Sequence, residues 1–234
     1  MIPLTKTQKK IFEHIGADLG YKDLTTSTVD GKRVYNLPSG KQYPSITSVL
    51  SILSADGIRA WRERVGAEEA NRISGKASRR GTAVHLIAEK YLNNDPDYKT
   101  GLMPDVVDTF KSIQPILDER IGKIYGQELP LYSDYLGVAG RVDCVAEFDG
   151  IPSIIDFKTS KRVKTYDHIH SYFMQESAYA VMWEERTNIP IVNLVTIIAV
   201  DDNPPLVFKE HRDNWTAPLI ETITRFKRER FFGA

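Results

Sequence analysis

The sequence predicts an α/β (α+β) chain, and three observations carry the prediction. About eighty residues from Ser45 onward follow helical periodicity, and after Gln127 the pattern turns to short alternating apolar runs. Between two of those runs sits Asp149-Gly150, one of the strongest short signals for a hairpin turn. Strands interleaved with long helices imply a mixed central sheet flanked by helices.

Taken in order, residues 4–19 have the spacing of a short amphipathic helix, and residues 25–37 read as a hairpin turning at Asp30-Gly31. Together they make a small N-terminal appendage over 1–44. Ser45 is placed to cap the helix that opens SITSVLSIL, and further helices are predicted at 57–72, 78–92 and 104–123, a helical block over 45–123. Strands follow at 129–135, 138–148 and 151–158, then a long helix at 168–186, strands at 192–200 and 206–211, and a helix at 217–230. These form a sheet core over 127–234, so 45–234 reads as one domain.

Composition bounds the function. With 234 residues, 41% of them hydrophobic, the chain can bury a core without disulfides or a structural metal. Its 31 basic and 31 acidic side chains balance, so any nucleic-acid binding has to come from local patches. The single cysteine, Cys144, excludes an internal disulfide, a multi-cysteine zinc site and a four-thiolate iron-sulfur cluster, and it suits a reducing compartment. No run approaches the roughly eighteen apolar residues of a membrane span. Glu13 and Asp18 interrupt the basic start, so no targeting peptide is expected and a cytoplasmic location is. No GxxxxGK[ST] loop occurs, so ATP is not expected as a cofactor.

The chemistry concentrates in residues 137–161. If Asp149-Gly150 forms the turn, Phe148 pairs with Ile151 and each later pair of numbers sums to 299, which sets Asp143 opposite Asp156. Paired side chains share a face about 5 Å apart, and like charges there are destabilising. A divalent cation between the carboxylates removes that penalty. Alternation along the strand puts Lys158 on the face of Asp156, with Phe157 pointing away. An Asp-x-Lys triplet alone arises about once by chance in a chain this long; the register adds an independent condition.

Two helical pairs offer partners. His85 and Glu89 are four residues apart on one helix face, as are Gln175 and Tyr179 on the helix after the hairpin. Each pair alone is more often ordinary packing. Two cation runs lie near these elements, Arg72, Lys76, Arg79 and Arg80 before His85, and Lys158, Lys161, Arg162 and Lys164 after the hairpin, with rings at Tyr166, His168, Tyr172 and Phe173. Cations mixed with aromatics suit an unpaired strand whose bases can stack.

In this order, the Gly81-x-x-x-His85 helix, Asp143, Asp156-Phe157-Lys158 after a twelve-residue gap, and Gln175-x-x-x-Tyr179 resemble the RecB-like branch of the PD-(D/E)XK nucleases. Through YPSITSVL, DCVAE and IDFKTSK they are most similar, within it, to the mitochondrial genome maintenance exonucleases and their phage relatives. The resemblance spans residues 43–230. It implies a restriction-endonuclease-like sheet and a metal-dependent DNA exonuclease acting on single strands or flaps with free ends. An endonuclease of the same fold, or a non-catalytic recombination accessory protein, stays open as the alternative. It further implies one or two Mg2+ or Mn2+ ions on His85, Asp143, Asp156 and the Phe157 carbonyl, with Lys158 at the attacking water. Gln175 and Tyr179 would hold the DNA backbone or the metal shell, and Glu89 would support His85. Arg79, Arg80, Lys161, Arg162, Lys164 and Tyr172 would contact single-stranded DNA, with replication or recombination proteins as further partners and the cytoplasm of a bacterial or phage-infected cell as the setting. Val142 stands where the nominal motif has proline, and the cluster-binding cysteines of some relatives are absent.

Overall fold

The computed structural model describes residues 10–232. A five-stranded mixed sheet in consecutive order is built from β4 (Ile121–Ser133), β5 (Val138–Phe148), β6 (Ile151–Ser160), β7 (Asn193–Val200) and β8 (Leu206–His211). Every pairing is antiparallel except β6 with β7, whose parallel crossover is the helix α5 (His170–Thr187). That crossover accounts for the hydrophobic character of β7, which is buried along nearly its whole length.

Helices cover both faces. On one face α3 (Ala67–Leu92) and α4 (Pro104–Arg120) enclose Cys144, Ala146, Phe148, Ile155 and Phe157. On the other, α1 (Ile46–Leu50), α5 and α6 (Asp213–Phe232) enclose Val142, Val145, Ile154 and Ile198 around Trp183 and Phe173. A separate three-stranded sheet, β1 (Thr25–Val29), β2 (Lys32–Asn36) and β3 (Gln42–Pro44), packs through Leu24, Tyr35 and Leu37 against Ala139 of β5. Its β1–β2 turn is Asp30-Gly31, both with positive φ, as the sequence predicts.

Four local expectations are corrected. The helix expected at 4–19 lies partly outside the described residues, and residues 10–19 form no helix. Instead, Ile15 N–H donates to the Ile124 carbonyl at 2.9 Å and Ile124 N–H to the Glu13 carbonyl at 2.8 Å, while Phe12 is buried against Tyr91. An open edge of β4 offers unpaired backbone groups, and pairing with them outweighs a marginal isolated helix. The break expected between residues 72 and 78 does not occur. It falls at Gly66, which takes φ +85 and separates α2 (Ala55–Val65) from an unbroken 26-residue α3. Ser74 and Gly75 weaken a helix by about 1 kcal/mol or less each, too little to stop it. The sheet begins at Ile121 rather than near residue 127, because β4 follows α4 without a loop. Ser45 occupies the N-cap position of α1, but its hydroxyl bonds the Thr47 hydroxyl instead of a helix N–H. No helix among the described residues is long and apolar enough to cross a membrane.

Candidate metal centre

The site grows from the turn between β5 and β6. Asp149 and Gly150 both have positive φ (53° and 77°), as a two-residue hairpin turn of the primed type requires. Asp149 is tied down as well, its N–H donating to the Arg120 carbonyl and its carboxylate accepting from the Arg120 guanidinium at 2.7 and 2.9 Å and from Lys209. The register runs from Phe148 opposite Ile151 to Cys144 opposite Ile155, each pair summing to 299. There the ladder stops, one step short of Asp143 and Asp156.

A side chain replaces the ladder at that point. Asp143 Oδ2 accepts the Phe157 backbone N–H at 2.8 Å, so the carboxylate satisfies a donor that β5 backbone would otherwise take. The core changes sides here too, since Val142 packs under α5 whereas Cys144 packs under α3 and α4. β5 and β6 part at Asp143, opening the sheet where the charges gather.

On one side of Asp143 the groups are linked through an ion pair and side-chain hydrogen bonds. Asp156 is 1% exposed; its Oδ2 is ion-paired with Lys158 and its Oδ1 accepts from Gln175 Nε2 at 3.2 Å. Gln175 in turn lies 3.4 Å from the Tyr179 hydroxyl, and the Lys158 ammonium sits over the Tyr172 ring, 5.2 Å from its centroid. Tyr179 is buried against Gly140, where a Cβ would come within 2.7 Å of the ring. Burial pushes Asp156 up to about 6, with the Asp143 charge adding to it and Lys158 opposing it. Burial works against the Lys158 ammonium, but the two carboxylates outweigh it and hold Lys158 above its ordinary value.

On the other side lies a second constellation. His85 Nδ1 from α3 stands 3.4 Å from Asp143 Oδ2. In the β4–β5 register Gln127 pairs with Cys144 and Leu129 with Val142, which brings Glu128 across from Asp143. Ligand atoms of His85, Glu128 and Asp143 all lie within 4.8 Å of one another, a cluster able to hold a metal ion. Burial, joined by the charges of Asp143 and Glu89, pushes the Glu128 carboxyl up to about 7. Burial opposes the charged forms of His85 and Asp143 as well, yet their mutual attraction lifts His85 and lowers Asp143. One imidazole and two acids in a desolvated spot, one acid held near its neutral form, are a donor set able to hold a metal ion.

The structure thus brings together His85, Asp143, Asp156, Phe157, Lys158, Gln175 and Tyr179. Phe157 contributes its N–H to Asp143, and its ring stands edge-on to His85 at 6.4 Å. Glu89 lies one helical turn from His85, and its charge bears on Glu128. Among the cations, Arg79, Lys161 and Arg162 are exposed and Lys164 is half-buried, whereas Arg80 is committed to structure through Asp201 and the Thr109 hydroxyl. Phe173, expected among the stacking rings, is fully buried. Glu128 escaped the sequence reading. Its signal is the four-residue β4–β5 loop from Asp134 to Gly137, which sets pairs summing to 271 and hence Glu128 against Asp143.

No protein-family profile matches the sequence, and no curated protein matches it. Solved structures similar to the chain include a candidate exonuclease from Eubacterium rectale, at 11% identity and a TM-score of 0.43, with 64% of this chain and 66% of that one covered, just under two thirds of its length. A protein designated SSO0001 is similar at 12% identity and a TM-score of 0.33, with 62% and 71% covered. Likenesses this distant carry no functional assignment.

Proposed function

We propose that the chain is a metal-dependent deoxyribonuclease of the RecB-like kind, hydrolysing phosphodiester bonds of single-stranded DNA or flaps from free ends. The observation that carries the reading is the split of β5 and β6 at Asp143, with His85 and Glu128 on one side and the Asp156–Lys158 pair on the other. The order of the four sequence motifs supports the choice of branch.

In this reading His85, Glu128 and Asp143 hold a Mg2+ or Mn2+ ion, with Asp156 and the Phe157 carbonyl beside them. Such an ion supplies Lewis acidity toward a phosphate oxygen and a bound water of lowered pKa. Lys158, the cation nearest the two aspartates, holds the attacking water in line and lends positive charge to the crowded phosphate. Gln175, backed by Tyr179, fixes the Asp156 carboxylate so that Lys158 keeps its place. Arg79, Lys161, Arg162 and Lys164 steer the strand through its phosphates, and Tyr172 offers a ring to its bases.

End-labelled linear single-stranded DNA and internally labelled circles, each incubated with Mg2+, Mn2+ or chelator, test this directly. Release of short products from linear DNA alone, abolished by chelator, is the expected result. Equal cutting of circles replaces the exonuclease with an endonuclease, and inertness toward all DNA in both metals overturns the reading.

A further inference from the structure

A cleft of about 890 Å3 leads to the cluster of His85, Glu128 and Asp143. One wall is α3 at Gly81 and Thr82; the opposite wall is the N-terminal sheet, which presents Arg33 of β2 together with Asp23 and the start of β1. This wall is firmly seated. Tyr35 and Leu37 are buried against β5, the Tyr21 hydroxyl donates to the Pro130 carbonyl at 2.9 Å, and Ser45 bridges to Ala139. Small-ligand sites span roughly 300–1,000 Å3, so the cleft suits a nucleotide unit of an unpaired strand.

Its charges make a specific demand. Asp23, Glu128 and Asp143 all line the cleft, so an entering phosphate needs cations beyond a metal ion. Two arginines answer. Arg141, two residues before Asp143 on β5, donates to the Glu128 carbonyl and to the Asp23 carboxylate. Arg33 is exposed and makes no ion pair or side-chain hydrogen bond among the described residues, whereas its neighbour Lys32 is spent over the Phe226 ring at 4.5 Å. A guanidinium on a rigid strand, lining the same cleft as His85, Glu128 and Asp143 and without an ion-pair partner among the described residues, is fitted to a phosphate.

We propose that the N-terminal sheet is the second wall of the substrate cleft, and that Arg33 binds the DNA phosphate next to the one held at His85, Glu128 and Asp143. Arg141, held in place by Asp23, flanks the same phosphate. The proposal rests on the nuclease reading above. It assigns a substrate-binding role to Arg33 and the β1–β2 hairpin, which lie outside the motifs that suggested that reading.

Fluorescence anisotropy of a labelled oligo-dT strand, bound in Mg2+ to Asp156→Asn protein so that it is not consumed, tests it across a salt series. Losing one phosphate contact on a single strand lowers the slope of log K against log salt by about 0.7. Arg33→Ala should show that drop, with affinity about tenfold weaker, as expected for a hydrogen bond to a charged group. Arg33→Lys should recover most of the slope, and Arg225→Ala on α6 should match the parent. Arg33 is solvent-facing, and its carbonyl bond to Ser45 N–H is independent of the side chain, so folding is not at risk. If the parent binds and Arg33→Ala has the same slope and affinity, the cleft assignment falls while the nuclease reading stands. If the wild-type chain neither binds nor cuts any DNA, both fall.

Discussion

The two sides of Asp143 differ in what they leave unfinished. Toward α5, Asp156, Lys158, Gln175 and Tyr179 form a closed chain linked by an ion pair and side-chain hydrogen bonds. Toward α3, His85 and Glu128 crowd against Asp143 with a carboxyl held near neutrality. On the closed side the ion pair with Lys158 opposes the cost of burying Asp156; on the open side burial and the neighbouring acids leave the Glu128 carboxylate disfavoured. Breaking the closed-side ion pair should therefore cost stability, whereas removing the Glu128 charge should add stability while weakening metal binding.

Asp143 belongs to both sides, so its loss should have the largest effect. Asp143→Asn is expected to abolish cleavage by at least about 10³-fold, beyond the 10–100-fold typical of groups that only support a ligand. Metal-induced thermal stabilisation should vanish with it. Near-wild-type cleavage by this variant would remove Asp143 from the site.

Lys158→Met comes next and probes the closed side. Breaking a buried ion pair by removing one partner costs about 3–5 kcal/mol, because the other charge is left stranded. Here Asp156 is 1% and the Lys158 side chain 20% exposed, so most of that cost should appear as a lower melting temperature. Adding Asp156→Asn should restore stability but not cleavage. A double variant as unstable as the single one would mean that the pair is not what holds this side closed.

The same contrast explains what was legible in the sequence. The β5–β6 register could be counted because its turn is two residues long and Asp-Gly demands the backbone angles found there. Asp143, Asp156 and Lys158 followed from that count. Glu128 did not, because the strand expected at 129–135 runs two residues past the end of β4 at Ser133, which miscounts the β4–β5 loop and its register. His85 and Gln175 lie on helices whose spacing was readable, but only tertiary packing brings those faces to the hairpin. The extended segment at Phe12 was hidden for a similar reason: its partner is an edge more than a hundred residues away.

Gly140 provides a smaller, purely steric test of the closed side. An added Cβ would meet the Tyr179 ring at 2.7 Å and Ile46 at 3.0 Å, and overpacking of this kind costs about 1–3 kcal/mol. Gly140→Ala should lower the melting temperature and, by moving Tyr179 and then Gln175, reduce turnover more than DNA affinity. Gly57→Ala on α2, with nothing within 4 Å, should instead stabilise by about 0.5–1 kcal/mol. If both substitutions behave alike, the close approach of Tyr179 to β5 is not a constraint.

The smallest effect should come from the open side, and its sign is what matters. Burial, as the chief cause, pushes the Glu128 carboxyl up to about 7 in the fold from 4.5 for the ordinary group. A raised carboxyl is bound to its proton more tightly in the folded state, so no penalty exists below about pH 4.5. The penalty grows through the interval and is complete above about pH 7. Glu128→Gln removes it, so in chelator the variant should melt above wild type at pH 8 and alongside it at pH 4.5. Allowing for partial solvent screening, about 1 kcal/mol is expected, or about 2–4 °C for a chain of this size. In Mg2+ or Mn2+ the order should reverse, because only the native carboxylate gains from the ion and ligand binding stabilises in proportion to affinity. A variant less stable than wild type in chelator at pH 8 would place Glu128 with the closed side and dissolve the distinction between the two.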